Sequence, residues 1–188
     1  MIGARYFVKG YEDVNGPFNI TGNFLSPRDA DGHGNHTLST AGGNFVKNAS
    51  INGYAKGIAK GGAPHARVVA YKVCWDYCYD ADILAGFDAG IHDRVDVFSV
   101  SIGSNSAADY FEDALAIGSF HAFQRGRVVV CSAGNSGPDL GTVENVAPWI
   151  ITVGASSVNR QFPSGAALGN KRTYVVSIRV SSTMATSS

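Results

Sequence analysis

Asp31-Gly32-His33-Gly34 sets an imidazole between two glycines, so a second reacting group can come close to His33. At a helix N-terminus the proton affinity of an imidazole falls, and the ring is available as a neutral general base. The competing reading is a solvated loop histidine. His36 falls one helical turn further on and, with Asp29 or Asp31, offers part of a zinc site. No fourth ligand accompanies them, so no metal and no other cofactor is expected. A second constellation is Ser132-Ala133-Gly134-Asn135-Ser136-Gly137-Pro138. The Asn135 amide can donate to a developing oxyanion, an interaction contributing about 2.7–4 kcal/mol; an ordinary Asn/Gly turn is the alternative. Gly57, Gly61 and Gly62 lack the Gly-Lys-Ser/Thr ending and the preceding strand of a phosphate loop, and are set aside.

These residues need elements to position them. Residues 1–30 scatter Gly, Asn, Pro and Asp without a period and read as irregular surface. The small residues after Asp31 suit a tightly packed helix that Gly42-Gly43 would stop. An α/β rhythm follows. Ala66–Val73 and Val95–Ile102 are β-branched and apolar on both faces, as in buried parallel strands. Between them Asp80 or Asp82 caps a helix with Ile83, Leu84, Phe87 and Ile91 on one stripe. Asp109–Gln124 makes a second helix, packing through Phe111, Leu115, Gly118 and Ala122. Arg127–Cys131 and Trp149–Val153 supply two more strands, and Thr173–Val180 reads as a last one. Strand–helix alternation of this kind builds right-handed crossovers, hence an α/β fold with a parallel sheet flanked by helices. Ser101-Ile102-Gly103 and the Asn135 loop both fall at carboxyl ends of strands, where such sheets gather their functional groups.

Composition narrows the function classes. The chain has 188 residues, enough for one domain of ordinary size. Fifteen Lys+Arg balance fifteen Asp+Glu, so charge alone points to neither nucleic acid nor an anionic membrane as partner. Hydrophobic content of 45% is globular. No apolar run reaches the roughly 18 residues of a membrane span, and the first residues lack the order of a signal peptide. The 23 glycines imply many tight backbone passages. Three cysteines make no disulfide framework: Cys74 and Cys78 are close enough to pair, and Cys131 lies in an apolar run as a buried thiol. Sequons stand at Asn19, Asn35 and Asn48. No internal repeat is visible, and oligomeric state leaves no mark on the sequence.

Taken together the motifs are far more specific. Ser26-Pro-Arg-Asp-Ala-Asp-Gly-His-Gly-Asn-His-Thr, Gly53-Tyr-Ala-Lys-Gly-Ile-Ala-Lys-Gly-Gly-Ala-Pro and Ala70-Tyr-Lys-Val-Cys-Trp resemble the subtilisin-like serine proteases, and most closely their plant, cucumisin-type branch. Asp82-Ile-Leu-Ala-Gly, Val95-Asp-Val, Cys131-Ser-Ala-Gly-Asn-Ser-Gly-Pro and Asn145-Val-Ala-Pro-Trp-Ile continue the likeness, which runs from about Ile2 to Asn170. The resemblance implies a partial, incomplete three-layer α/β/α peptidase domain over residues 1–170, with 171–188 a divergent tail. It makes His33 the catalytic general base and Asn135 the side-chain oxyanion donor. Ser101, Ile102 and Gly103 would pair with an extended peptide or protein substrate, and Ala133 and Gly134 would line the pocket for the residue before the scissile bond. An extended peptide adds to an unobstructed strand edge through main-chain hydrogen bonds, which agrees with the glycines there. Kinship also implies a secretory or extracellular address.

Two parts of the family's triad have no recognisable motif here. The Asp-Thr/Ser-Gly turn expected upstream of the histidine does not occur; neither Asp13 nor Asp29 matches it. Aligned on Met184, the nucleophile position holds Thr183 with Ser182 beside it, and no Pro-His follows. In subtilisin, the type member of that family, losing the serine or histidine lowers turnover on the order of 10⁶-fold, and losing the aspartate on the order of 10⁴-fold. The expectation is therefore a serine-endopeptidase sequence whose 188-residue chain does not itself hydrolyse peptides. A non-catalytic peptide-binding protein of the same descent is the alternative.

Overall fold

The computed structural model describes residues 1–104, 107–156 and 163–177. Its frame is α/β with parallel strand pairing. β5 (Val97–Val100), β6 (Val128–Ser132) and β7 (Ile151–Val153) form a three-stranded parallel sheet. The register runs from Val97 opposite Val128 to Val100 opposite Cys131, and from Val130 opposite Ile151 to Ser132 opposite Val153. A second parallel pair joins β1 (Gly3–Tyr6) to β4 (Val69–Lys72).

Two helices close the core over the three-stranded sheet. α3 (Asp80–His92) brings Ile83 and Phe87, and α4 (Ala114–Gln124) brings Leu115 and Ala122, against Phe98, Val129 and Cys131. Each large apolar side chain buried there contributes about 1.5–3 kcal/mol. The close fit depends on small residues: a Cβ at Gly118 would overlap the Phe87 ring, and one at Gly90 the Phe98 ring. The sheet's strands are not buried on both faces as their apolar runs suggested. Val97, Val128, Ile151 and Val153 are exposed on the side away from this core.

Several sequence expectations are corrected. Residues 1–30 are not all irregular: β1 pairs with β4, and α1 (Lys9–Asn15) follows it. The residue that holds α1 is Asp82, which does not cap α3. Its carboxylate is 1% exposed and accepts from the amides of Gly10 at 2.9 Å and Tyr11 at 3.0 Å. Tyr79 takes the N-cap position of α3 without a side-chain bond. The second helix begins at Ala114 rather than Asp109, because Asp113 caps it by accepting from the Leu115 amide at 2.8 Å. Phe111 consequently precedes the helix and is 89% exposed instead of packing.

Two antiparallel hairpins complete the described chain. β2 (Val46–Ile51) and β3 (Tyr54–Ala59) turn through Asn52 and Gly53, whose φ values of 50° and 85° are those a two-residue primed turn demands. β8 (Pro163–Ala167) pairs with β9 (Thr173–Ser177), the start of the strand read over Thr173–Val180; residues 178–180 lie outside the described residues. Cys74 and Cys78 are joined in a disulfide, while Cys131 is a buried free thiol. Among the described residues no helix is long and apolar enough to cross a membrane.

Candidate active site

His33 is the first residue of α2 (His33–Gly42), and it is exposed. The helix carries little of the packing its small residues suggested, since Gly42 is its buried residue. What orients its N-terminus is Asp29. One carboxylate oxygen accepts from the amides of Asp31 at 3.0 Å and Gly32 at 2.9 Å, and the other from Asn35 at 2.7 Å. Desolvation pushes the Asp29 carboxyl upward, but the amides of Asn35, Gly32 and Asp31, with the Lys72 charge, outweigh it and hold it below the usual carboxylate range. One oxygen is thus committed to the two residues before α2 and the other to Asn35 within it, which leaves Asp29 poorly placed as a metal ligand for His33 and His36. Among the described residues no three His, Cys, Asp or Glu side chains are grouped to hold a metal ion.

Lys72, at the end of β4, ties the segment before Asp29 to the sheet. Its ammonium donates to Asn23 Oδ1 at 2.8 Å and to the Arg28 carbonyl at 2.9 Å, and lies 4.0 Å above the Trp75 ring. Desolvation lowers the Lys72 pKa, and the Asp29 charge opposes that shift. A chain of contacts therefore runs from β4 through the 23–29 loop to the helix end that bears His33.

The second half of the site lies past the ends of β5 and β6. Ser101, Ile102 and Gly103 follow β5 directly; Ser101 and Gly103 are exposed and Ile102 is half-buried. Ala133 and Gly134 follow β6, with the Ala133 amide donating to the Val153 carbonyl at 2.9 Å and Gly134 at φ 83°. Asn145 locks the two segments together. Its amide donates at 2.9 Å to the Ile102 carbonyl and at 2.9 Å to the Ser132 carbonyl. Next to it the Glu144 amide donates to the Ala133 carbonyl at 3.1 Å, and the Glu144 side chain lies between Gly103 and Gly134. Asn135 is exposed beyond Gly134, and among the described residues no hydrogen bond engages its amide.

The structure thus brings together Ile102, Gly103, Ala133 and Gly134. It does not join His33 to Asn135: among the described residues no hydrogen bond or ring contact links them, and no carboxylate bonds the His33 imidazole. Thr183 and Ser182 lie outside the described residues. Sequence reasoning missed Asn145, Glu144 and Lys72 as organisers of the site. For Asn145 a local signal exists, since Asn is one of the few non-glycine residues that tolerates a left-handed backbone, here φ 54°.

Comparison with known proteins agrees with this geometry. The profile of the subtilase family matches residues 2–187. Subtilisin-like protease SBT5.3 of Arabidopsis thaliana is 59% identical over 179 residues, covering 93% of this chain and 23% of its own length. SBT1.7 of the same plant is 52% identical over 175 residues, with the same coverage of both chains. Subtilisin-like serine-protease S of Lotus japonicus is 52% identical over 177 residues, covering 92% of this chain and 23% of its own. Among solved structures, sphericase superposes with a TM-score of 0.54 at 25% identity, covering 93% of this chain and 57% of that one. The chain thus spans less than a quarter of the length of these plant relatives. A profile match over nearly every residue, on a parallel α/β frame whose strand ends carry the motifs, has one meaning: the chain belongs to the subtilase family.

Proposed function

We propose that this chain carries the peptide-binding half of a subtilisin-type serine endopeptidase, with His33 as general base and Asn135 as oxyanion donor. The observation that supports it best is the pair of strand ends, 101–103 and 133–134, held side by side through Asn145. The edge at Ser101 and Gly103 is open, as strand addition by an extended peptide requires. The acid and the attacking hydroxyl have no recognisable motif in these residues, so the 188-residue chain binds peptide without cleaving it. A secretory address follows from kinship, and the sequon residues Asn19, Asn35 and Asn48 are all exposed for glycan attachment.

Titration calorimetry with an extended, amide-capped peptide tests the reading. Heat of binding that disappears in Gly103→Val is expected. Absence of heat from the folded chain at millimolar peptide would overturn it.

A further inference from the structure

Glu144 is 2% exposed, and among the described residues one of its carboxylate oxygens has no hydrogen-bond partner. Desolvating a carboxylate without a partner is costly, and such a group is rarely left so without a reason. Its position is specific. A Cβ at Gly103 would collide with one carboxylate oxygen, and a Cβ at Gly134 would come within 2.5 Å of the other. Only two glycines leave room for this side chain, and they belong to the two segments proposed to grip the substrate.

Glu144 also lines a cleft of 210 Å³ that opens beside Ile102 and Gly103. Asp80, Glu112 and Asp113 line the same cleft, and no lysine, arginine or histidine does so among the described residues. The ion pairs of the described residues join Arg5 to Asp93 and Arg127 to Asp96; none involves Glu144. A buried carboxyl group with one oxygen unpartnered among the described residues, facing a cleft walled by further carboxylates, favours a cationic guest.

From these observations we infer that Glu144 is a specificity-determining residue, selecting a peptide whose side chain entering the cleft beside Ile102 and Gly103 is arginine or lysine. This rests on the peptide-binding reading and adds to it the chemical class of the substrate. Arginine supplies the planar pair of donors that a carboxylate accepts in two bonds, so it is preferred to lysine. Leucine in the same place leaves the carboxylate buried and unpaired, and glutamate repels it.

Three fluorescent, amide-capped peptides that differ only in a terminal Arg, Leu or Glu, titrated into the full chain at low salt, test the inference by anisotropy. The Arg peptide is expected to bind about tenfold tighter than the Leu peptide, with the advantage falling as salt is raised. Glu144→Gln, which keeps the side chain's shape, is expected to erase the difference between the Arg and Leu peptides; Glu144→Asp retains the preference. Competition by agmatine against the Arg peptide on the unaltered chain provides a readout that needs no variant to fold. Equal binding of Arg and Leu peptides, or a preference that survives Glu144→Gln, would overturn the inference and leave the groove standing. Failure of all three peptides to bind would remove the groove itself, and the inference with it.

Discussion

The side-chain amide of Asn145 donates to the main-chain carbonyl of Ile102 across 43 residues of sequence, at 2.9 Å. The same amide reaches Ser132 at 2.9 Å, so one side chain fixes the separation of the two strand ends proposed to form the groove. The ladder between the two strands does not reach so far: the β5–β6 register stops at Val100 and Cys131. The spacing of the proposed groove is thus set by a residue that also lines the adjoining cleft.

Asn145→Ala is expected to destabilise the chain by about 3 kcal/mol, because two partly buried carbonyls lose a donor at about 1 kcal/mol or more each and a left-handed backbone disfavours Ala by about 1 kcal/mol. Urea unfolding monitored by circular dichroism measures it. Asn145→Gly removes the backbone part and should sit between the two. A loss below about 1 kcal/mol for the alanine variant would show that the bridge is dispensable.

Lys72→Met should release the 23–29 loop and, through Asp29, the first turn of α2. Hydrogen exchange at residues 29–36 is expected to quicken about tenfold or more, while exchange in β6 is unaltered. Unchanged exchange around His33 would break the proposed line of support from the sheet to that helix end.

Asp29 ties the same helix end to pH. Its pKa is depressed in the folded chain, so its contribution is complete above the unfolded carboxylate's pKa and is lost as pH falls through the lower folded value. Protection of the Asn35 amide should therefore persist through the ordinary carboxylate range and fade only below it. Asp29→Asn should be less protected near neutrality, by about 1 kcal/mol, and no longer respond to acid. Loss of Asn35 protection already above the ordinary carboxylate range would contradict this.

Much of this architecture was legible from local pattern, and the failures have a common cause. The β5–α4–β6 crossover showed itself through continuous β-branched runs and a helical stripe. β1 did not: Gly3–Tyr6 is short and largely exposed, and only its pairing with Val69–Lys72 makes it a strand. Asp82 stands where caps stand, yet its partners, Gly10 and Tyr11, are about seventy residues away. The β2–β3 hairpin carries its own local signal in Asn52-Gly53. In the candidate site, His33, Asn135 and the Gly103 and Gly134 segments stand in motifs that the sequence itself displays. Asn145 and Glu144 carry no such mark, since their contacts arise only when two distant strand ends meet.

Cysteine chemistry gives a separate check. Burial, with the Asp113 charge adding to it, pushes the Cys131 thiol up to about 12, while Cys74 and Cys78 are paired. Alkylation of the native chain without reductant should label no cysteine at mildly alkaline pH. Unfolding without reductant should expose one, and reduction three, counted by intact mass. Labelling of Cys131 in the native chain would show that the sheet's helical cover is open.

The most direct measurement is fluorophosphonate labelling of the purified 188-residue chain near neutral pH, followed by intact mass and by the His33→Ala and Asn135→Ala variants. The account predicts no covalent adduct in any of the three, because a base and an oxyanion donor without an activated serine retain none of the roughly 10⁶-fold acceleration that a complete site supplies. A stoichiometric adduct on the unaltered chain that vanishes with His33→Ala would contradict it, and would place a working nucleophile within these residues.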